Sequence, residues 1–365
     1  MVQLLLIRAR RQSVGAALIL SGVALLLFPA WAAAKPRRDT VAPETWEMSL
    51  EGGRALTWER SFNSELEVKP NRGFWNKVVD VIAGAPDYRV MVRPYSVVTD
   101  SHGRVIVTDP GAAGVHIFDF AEHKYKFIQR QGKTPMLSPQ CVAVDAQDNI
   151  YVTDSDAGVI FVFEPGGKFL RAIGSLKGGE GYFKRPTGIA VDSAAQRIYV
   201  ADTLRDEVFI LDLQGNVLKT IGKTGDAEGE FNLPTELLLN GPRLVVVDPM
   251  NFRVQVFDRS GTFQYAIGTI GDSLGSIFRP KGVGVDSEGD LYLVEGLWAK
   301  VQVFNPQGQL LYYFGSQGTH AGEFQLPEGL YIDHEDRVFV VDSFNRRVQV
   351  FHYQGLKQPV GEAAK

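Results

Sequence analysis

PTGIAVDSAAQRIYVADTLRDEVFILD, residues Pro186–Asp212, is the stretch that decides the fold. Three apolar, β-branched runs alternate with short polar breaks, the signature of consecutive antiparallel strands. The unit recurs, and its copies begin at Pro94, Pro139, Pro186, Pro234, Pro280 and Pro327, spaced 45, 47, 48, 46 and 47 residues apart. A period of that size marks supersecondary units that stack because none can bury its faces alone. A fourth run ends most copies, as in Val217–Ile221. Four antiparallel strands per period read as one propeller blade, an architecture that leaves few open sheet edges. Turn residues such as Asp258–Gly261 (DRSG) and Asn305–Gly308 (NPQG) fall between the runs, where tight hairpins need them.

The sixth copy stops short, because HYQGLKQPVGEAAK after Phe351 holds no fourth strand. Arg54–Phe62 (RALTWERSF) aligns with fourth strands such as Gly308–Ser316 (GQLLYYFGS). The expected fold is therefore all-β: a six-bladed propeller of four-stranded antiparallel blades, closed by an N-terminal strand at 54–62. Residues 35–53 read as a linker, 65–93 as an insertion and 356–365 as a C-terminal tail. Within the insertion, Phe74–Ile82 (FWNKVVDVI) has the pattern of a short amphipathic helix. Its apolar side chains need cover, so it is expected either as a lid over part of the channel mouth with Phe74 or Trp75 inserted, or as a helix packed on the rim between the first and last blades.

PTGIAVD with RIYVADTLRDEVFILD, PKGVGVDSEGDLYLVE with KVQVFNPQG, and PEGLYIDHEDRVFVVDSFNRRVQVF resemble the NHL repeat family. The resemblance spans roughly Arg54 to Gly355 and implies a six-bladed propeller of an exported bacterial protein. It departs most in the first copy, where Gly111–Gly114 (GAAG) replaces the polar hairpin, and in the fourth, where Asn240 replaces an acid.

Residues 1–34 read as a signal peptide. Arg8, Arg10 and Arg11 precede an apolar run at Val14–Phe28, then Pro29 and a small-residue cleavage site ending at Ala34. The alternative is an uncleaved membrane anchor. Cleavage leaves 35 Lys and Arg against 42 Asp and Glu, a net charge of −7. A periplasmic or extracellular protein of that charge is a poor partner for nucleic acid. The single Cys, Cys141, excludes an intramolecular disulfide framework and a Cys-rich zinc site, and lies too far from the cleavage site for a lipoprotein anchor.

A residue repeated in every blade is structural, whereas a binding site is made once. Asp109, Asp154, Asp202, Asp248, Glu295 and Asp342 all end second strands and are expected to hold the turns that follow. Phe183, Phe231, Phe278 and Phe324 are expected as wedges between blades. The long blade-to-blade crossings place the binding face at the start of the innermost strands. The ring just after each Pro is not repetitive: Tyr95, Gln140, Thr187, Thr235, Lys281 and Glu328. Glu236 follows one position on, and the turns after the second strands add Arg205, Trp298, Phe344 and Arg346.

Two function classes compete. The first is a non-enzymatic binding or scaffold module of the cell envelope, expected as a monomer with a protein, peptide or glycan partner. The second is a metal-dependent propeller enzyme, a lactonase-like hydrolase or a lyase. Glu236, Glu295 and Glu328 are its candidate ligands, and calcium is the ion that carboxylates suit. Of the six His, only His320 maps to the crossing face, and no Ser-His-Asp or Cys-His set can be assembled.

Overall fold

The computed structural model describes residues 44–69, 88–131, 134–174, 182–271 and 273–355. Each of the first five repeats forms one antiparallel sheet of four strands, the sixth gives three strands to a sheet completed from the N-terminus, and the six blades surround a central axis. In blade three the strands are Pro186–Asp192, Arg197–Asp202, Glu207–Asp212 and Val217–Ile221. Their burial follows from position in the ring. The middle strands are packed on both faces by neighbouring blades, whereas the outermost strand keeps only Ile221 buried. That is why the second and third runs read as nearly continuous Val, Ile, Leu and Phe in the sequence.

The innermost strands touch around the whole ring, including the step from blade six back to blade one. Small residues at one slot permit this approach. A Cβ on Gly282 would meet the backbone N of Leu330 at 2.3 Å, and one on Gly329 would meet the Tyr95 carbonyl oxygen at 2.5 Å. With no side chain there, the Gly329 N–H donates to that carbonyl at 2.9 Å, a backbone bond between blades.

Blade six is closed by the N-terminal strand, as the incomplete sixth copy implied. Ala55–Phe62 pairs antiparallel with Arg347–Gln354, with Ala55 opposite Gln354 and Phe62 opposite Val348. The linker expected at 35–53 is a strand in part. Glu47–Ser49 pairs outside Ala55–Phe62 as a fifth strand, joined by a turn in which Gly52 and Gly53 have positive φ. The reason lies in Trp46, Met48 and Leu50, which alternate inward against blades five and six. Trp46 meets Phe351 edge-on at 5.3 Å.

Two further expectations are corrected. The wedge between blades is the residue three before each Pro: Met91, Met136, Phe183, Phe231, Ile277 and Phe324, none more than 5% exposed. In blade five Ile277 holds that slot, so Phe278 is free to stack on Phe252 and Trp298 instead. The acid ending the second strand acts mainly backward rather than on the turn that follows it. Asp202 accepts from the Lys184 and Arg185 N–H groups at 2.6 and 2.9 Å. Asp109, Asp154 and Glu295 take the equivalent amides of Val92 and Arg93, Leu137 and Ser138, and Phe278 and Arg279. Asp248 and Asp342 take one each, from Asn232 and Gln325, and add an Arg at 2.9 and 2.8 Å. Asp109 and Asp154 also accept from the following turn, through Ala112 and Ala157. The turn after the first strand is held by a different acid, as where Asp333 accepts from Glu335 and Arg337.

The ends of the insertion are pinned together: Ser64 bridges Val90, and Met91 N–H donates to the Asn63 carbonyl at 2.8 Å. Val68 is buried in the seam between blades six and one. Phe74, Trp75 and the helix expected around them lie outside the described residues, as do the signal peptide and the tail.

Two outcomes follow. A chain beginning at Ser64 loses both outer strands of blade six, exposing an unpaired edge and the apolar surface under Trp46 and Trp58. Size-exclusion chromatography should show aggregation, and limited proteolysis should cut blade six first. Asp202→Asn keeps the shape but presents an amide to two amide donors. Denaturant melts should show a loss of about 1.5–3 kcal/mol, the range for hydrogen bonds to a charged group.

Candidate functional site

The face carrying the blade-to-blade crossings bears a cavity of about 470 Å³ at the axis. The ring read from the sequence converges on it: Tyr95, Gln140, Thr187, Thr235, Lys281 and Glu328 all line its wall. They meet because each follows the Pro that opens an innermost strand, and six such strands point their first residues at one axis. Ser138, Thr203, Arg93, Arg185, Pro110 and Gly111 complete the lining. Thr187 and Thr203 are hydrogen-bonded to each other at 2.8 Å, and Gln140 donates to Ser138 Oγ at 2.9 Å. Thr235 Oγ1 is buried with no hydrogen-bond partner among the described residues.

Charge in the cavity is unevenly matched. Lys281 Nζ lies 2.9 Å from Glu328 Oε2, a close charge contact without the alignment of a good hydrogen bond. Arg93 and Arg185 make no ion pair among the described residues. Both are exposed, and Arg93 lies over the Phe344 ring at 5.6 Å.

Below this cavity the axis narrows to a waist lined by Tyr95, Thr235, Glu236, Lys281, Gly282, Glu328 and Gly329. A second cavity of about 280 Å³ opens beyond it, walled by the innermost strands and reached by Glu236. Glu236 occupies the slot that is Gly in blades three, five and six, and it lines both the waist and the second cavity. Cys141 of blade two donates its thiol to Glu236 Oε2 at 3.2 Å across the axis. Although Glu236 still touches the channel, desolvation raises its carboxyl to about 7, against a lowering from Cys141 and the Leu237 amide. Burial and the facing Glu236 carboxyl push the Cys141 thiol well up, so it is a packed thiol rather than a nucleophile. Tyr95 is likewise raised by burial and by Cys141, Glu328 and Glu236, and stays a neutral phenol.

The remaining expected residues are not brought into the cavity. Glu295 is buried and committed to the Phe278 and Arg279 amides, which separates it from Glu236 and Glu328 as a metal set. Trp298 is half-buried, its ring 6.0 Å from Phe278 and nearly parallel to it. Arg205 stays beside Asp202 at 3.9 Å, while Arg346 and Phe344 project from their turn into solvent. Among the described residues, three ligand atoms come within 4.8 Å of one another only at Asp100, His102 and Asp148. There Asp148 holds Ser101 N–H and His102 Nδ1, while Arg104 sits 2.6 Å from Asp100, so the carboxylates are already partnered. Sequence reasoning missed Arg93 and Arg185. Their signal was the position just before each Pro, which reads Arg93, Ser138, Arg185, Leu233, Arg279 and Leu326.

Comparison with known proteins agrees with the fold. A family profile described as a 6-bladed beta-propeller matches residues 141–221. Curated proteins give no sequence match. Among solved structures, virginiamycin B lyase from Staphylococcus aureus superposes with a TM-score of 0.55 at 13% identity, over 81% of this chain and 98% of that one. A gluconolactonase from Xanthomonas campestris gives 0.56 at 15% identity over 86% and 99%. An auxiliary nutrient binding protein from Bacteroides thetaiotaomicron gives 0.57 at 13% over 73% and 70%. At such identities the likeness defines a six-bladed β-propeller and nothing finer.

The state of Glu236 is testable. A carboxyl raised to about 7 in the folded chain, against about 4.3 when unfolded, keeps its proton on folding between those values. The folded state then binds more protons, so stability falls as pH rises through this window and levels off above it. Glu236→Gln should remove that slope, being about as stable as the parent at pH 4.5 and more stable at pH 8, by up to about 3.5 kcal/mol. Parallel melting curves for the two proteins from pH 4.5 to 8 would show that Glu236 is ionised throughout.

Proposed function

We propose that this chain is an exported, non-enzymatic binding propeller of the cell envelope that docks a protein or peptide segment across its crossing face. In this reading the blades are NHL repeats and residues 1–34 are removed on export. One observation carries it. Two positions after the acid that ends the second strand, blades three to six present Leu204, Met250, Leu297 and Phe344, exposed by 53, 39, 56 and 53%. Blades one and two have Gly111 and Asp156 there. An apolar arc thus runs along four adjacent blades on the face that holds the polar cavity.

Exposed apolar side chains at corresponding places in four neighbouring blades are costly in a free protein and serve a partner surface. Three of the four are aliphatic, which favours apolar side chains of a polypeptide over the flat faces of sugars. The cavity supplies polar groups at the centre of such an interface, and the arc supplies the surrounding contacts that exclude water. The enzyme reading has less support. Of its three proposed ligands, Glu295 is spent on backbone amides, and Glu328 faces Lys281.

The test is parallel binding of the purified chain to an array of short peptides and an array of envelope glycans. The double substitution Leu297→Ser/Phe344→Ser alters only exposed side chains and should leave the melting temperature unchanged. Peptide binding is expected, weakened about tenfold or more by the double substitution, equivalent to at least ~1.4 kcal/mol. Glycan binding without peptide binding would overturn the reading, as would lactone or ester turnover abolished by Glu236→Gln.

A further inference from the structure

The apolar arc says what covers the rim but not what enters the cavity. Its lining contains three cations and one wall carboxylate: Arg93, Arg185 and Lys281, with Glu328. Lys281 and Glu328 neutralise each other at 2.9 Å. The two Arg side chains come from the ends of different crossings, entering blades one and three, and neither has an acidic partner among the described residues. Their backbones are fixed, because the Arg93 and Arg185 N–H groups are held at 2.9 Å by Asp109 and Asp202. The staple that anchors each crossing therefore also sets the base from which each guanidinium reaches the cavity. Two exposed guanidiniums on one concave wall, with no acidic partner among the described residues, make a site for an anion, and the planar fork of Arg matches a carboxylate in particular. Polar hydrogens are available beneath: Thr235 Oγ1 is buried without a partner among the described residues, and the Tyr95 phenol is neutral.

We infer that the cavity holds a carboxylate of the bound peptide between Arg93 and Arg185, with Thr235 and Tyr95 at its floor. This rests on the peptide-binding reading above. A more highly charged group fits less well, because Glu236, which has no basic partner among the described residues, lines the waist beneath and is charged above neutral pH. The carboxylate has two sources, the C-terminus of the peptide or an Asp or Glu side chain, and the cavity volume of about 470 Å³ admits either.

The experiment uses N-terminally tethered peptides of one sequence set in four forms: C-terminal acid or amide, each with and without an Asp near the end. Wild type, Arg93→Ala, Arg185→Ala and Arg185→Lys are compared at two salt concentrations, with melting curves to confirm folding. Acid-form peptides should bind about 10- to 100-fold better than amides lacking Asp, and either Ala substitution should remove most of that advantage. Arg185→Lys should recover only part of it, since it keeps the charge and loses the fork. Binding confined to free C-termini supports the inference with a terminal source, and binding of the Asp-containing amide supports it with a side-chain source. Equal binding of the amide lacking Asp overturns the carboxylate assignment while leaving peptide docking intact. Absence of binding to any of the four forms overturns the docking reading and the carboxylate assignment with it.

Discussion

The hydrogen bonds between the carboxylate that ends each second strand and the amides that precede each innermost strand hold the molecule in register. Each fixes the point at which a long crossing becomes a blade. In blade three, two short bonds to Asp202 place Lys184 and Arg185, and the chain then turns at Pro186 into the axis. The carboxylate is fully buried, which makes its bonds to amides stronger and their loss more costly. The wedge residue sits one position before the stapled pair, so the same contact also sets the depth at which Phe183 or Met136 enters the gap between blades. Register, packing and the aim of the first axial residue are thus one constraint repeated around the ring.

Blades four and six modify the staple. Leu233 and Leu326 adopt positive φ, at 56° and 44°, and only one amide of each crossing reaches the acid. Leu233 instead donates to Asp206 of the preceding blade at 2.7 Å. Asn251 and Arg253, or Asn345 and Arg347, fill the vacated acceptor positions of Asp248 and Asp342. A left-handed Leu costs backbone strain, and these added bonds offset it. The asymmetry reaches the rim: where the residue before Pro is Leu rather than Arg, no cation is directed at the cavity.

Most of the fold was legible because it is written six times. The Pro spacing gave the blade count, and the truncated sixth copy gave the closure by Ala55–Phe62. What was missed occurs once or depends on contacts between distant blades. Trp46, Met48 and Leu50 alternate as a strand should, but three apolar residues in a polar stretch are a weak signal beside the repeats. Phe278 reads as a wedge by its residue type, although counting from Pro280 puts Ile277 in the slot. The ring of Tyr95, Gln140, Lys281 and Glu328 could be read from its place after each Pro. The bond from Cys141 to Glu236 could not, since it joins residues 95 positions apart in blades that are not neighbours. The partners of the repeated acids were hidden for a different reason. A carboxylate at a strand end reads as a turn holder, and only the three-dimensional path of the crossing shows that the nearer free amides lie behind it.

The pairing of Ala55–Phe62 with Arg347–Gln354 ties together the two ends of the propeller, with Thr57 and His352 in contact across 295 residues of chain. A chain delivered from its N-terminus presents this strand first and its partner last. Throughout synthesis the seam between the first and sixth blades stays unlatched, and Trp58 and Phe62 remain without the neighbours that bury them. A stalled or clipped chain lacking its last turn of sequence would carry five complete blades and still have no ring. The latch therefore depends on the last strand of the propeller: only a molecule made through Gln354 can cover Ala55–Phe62.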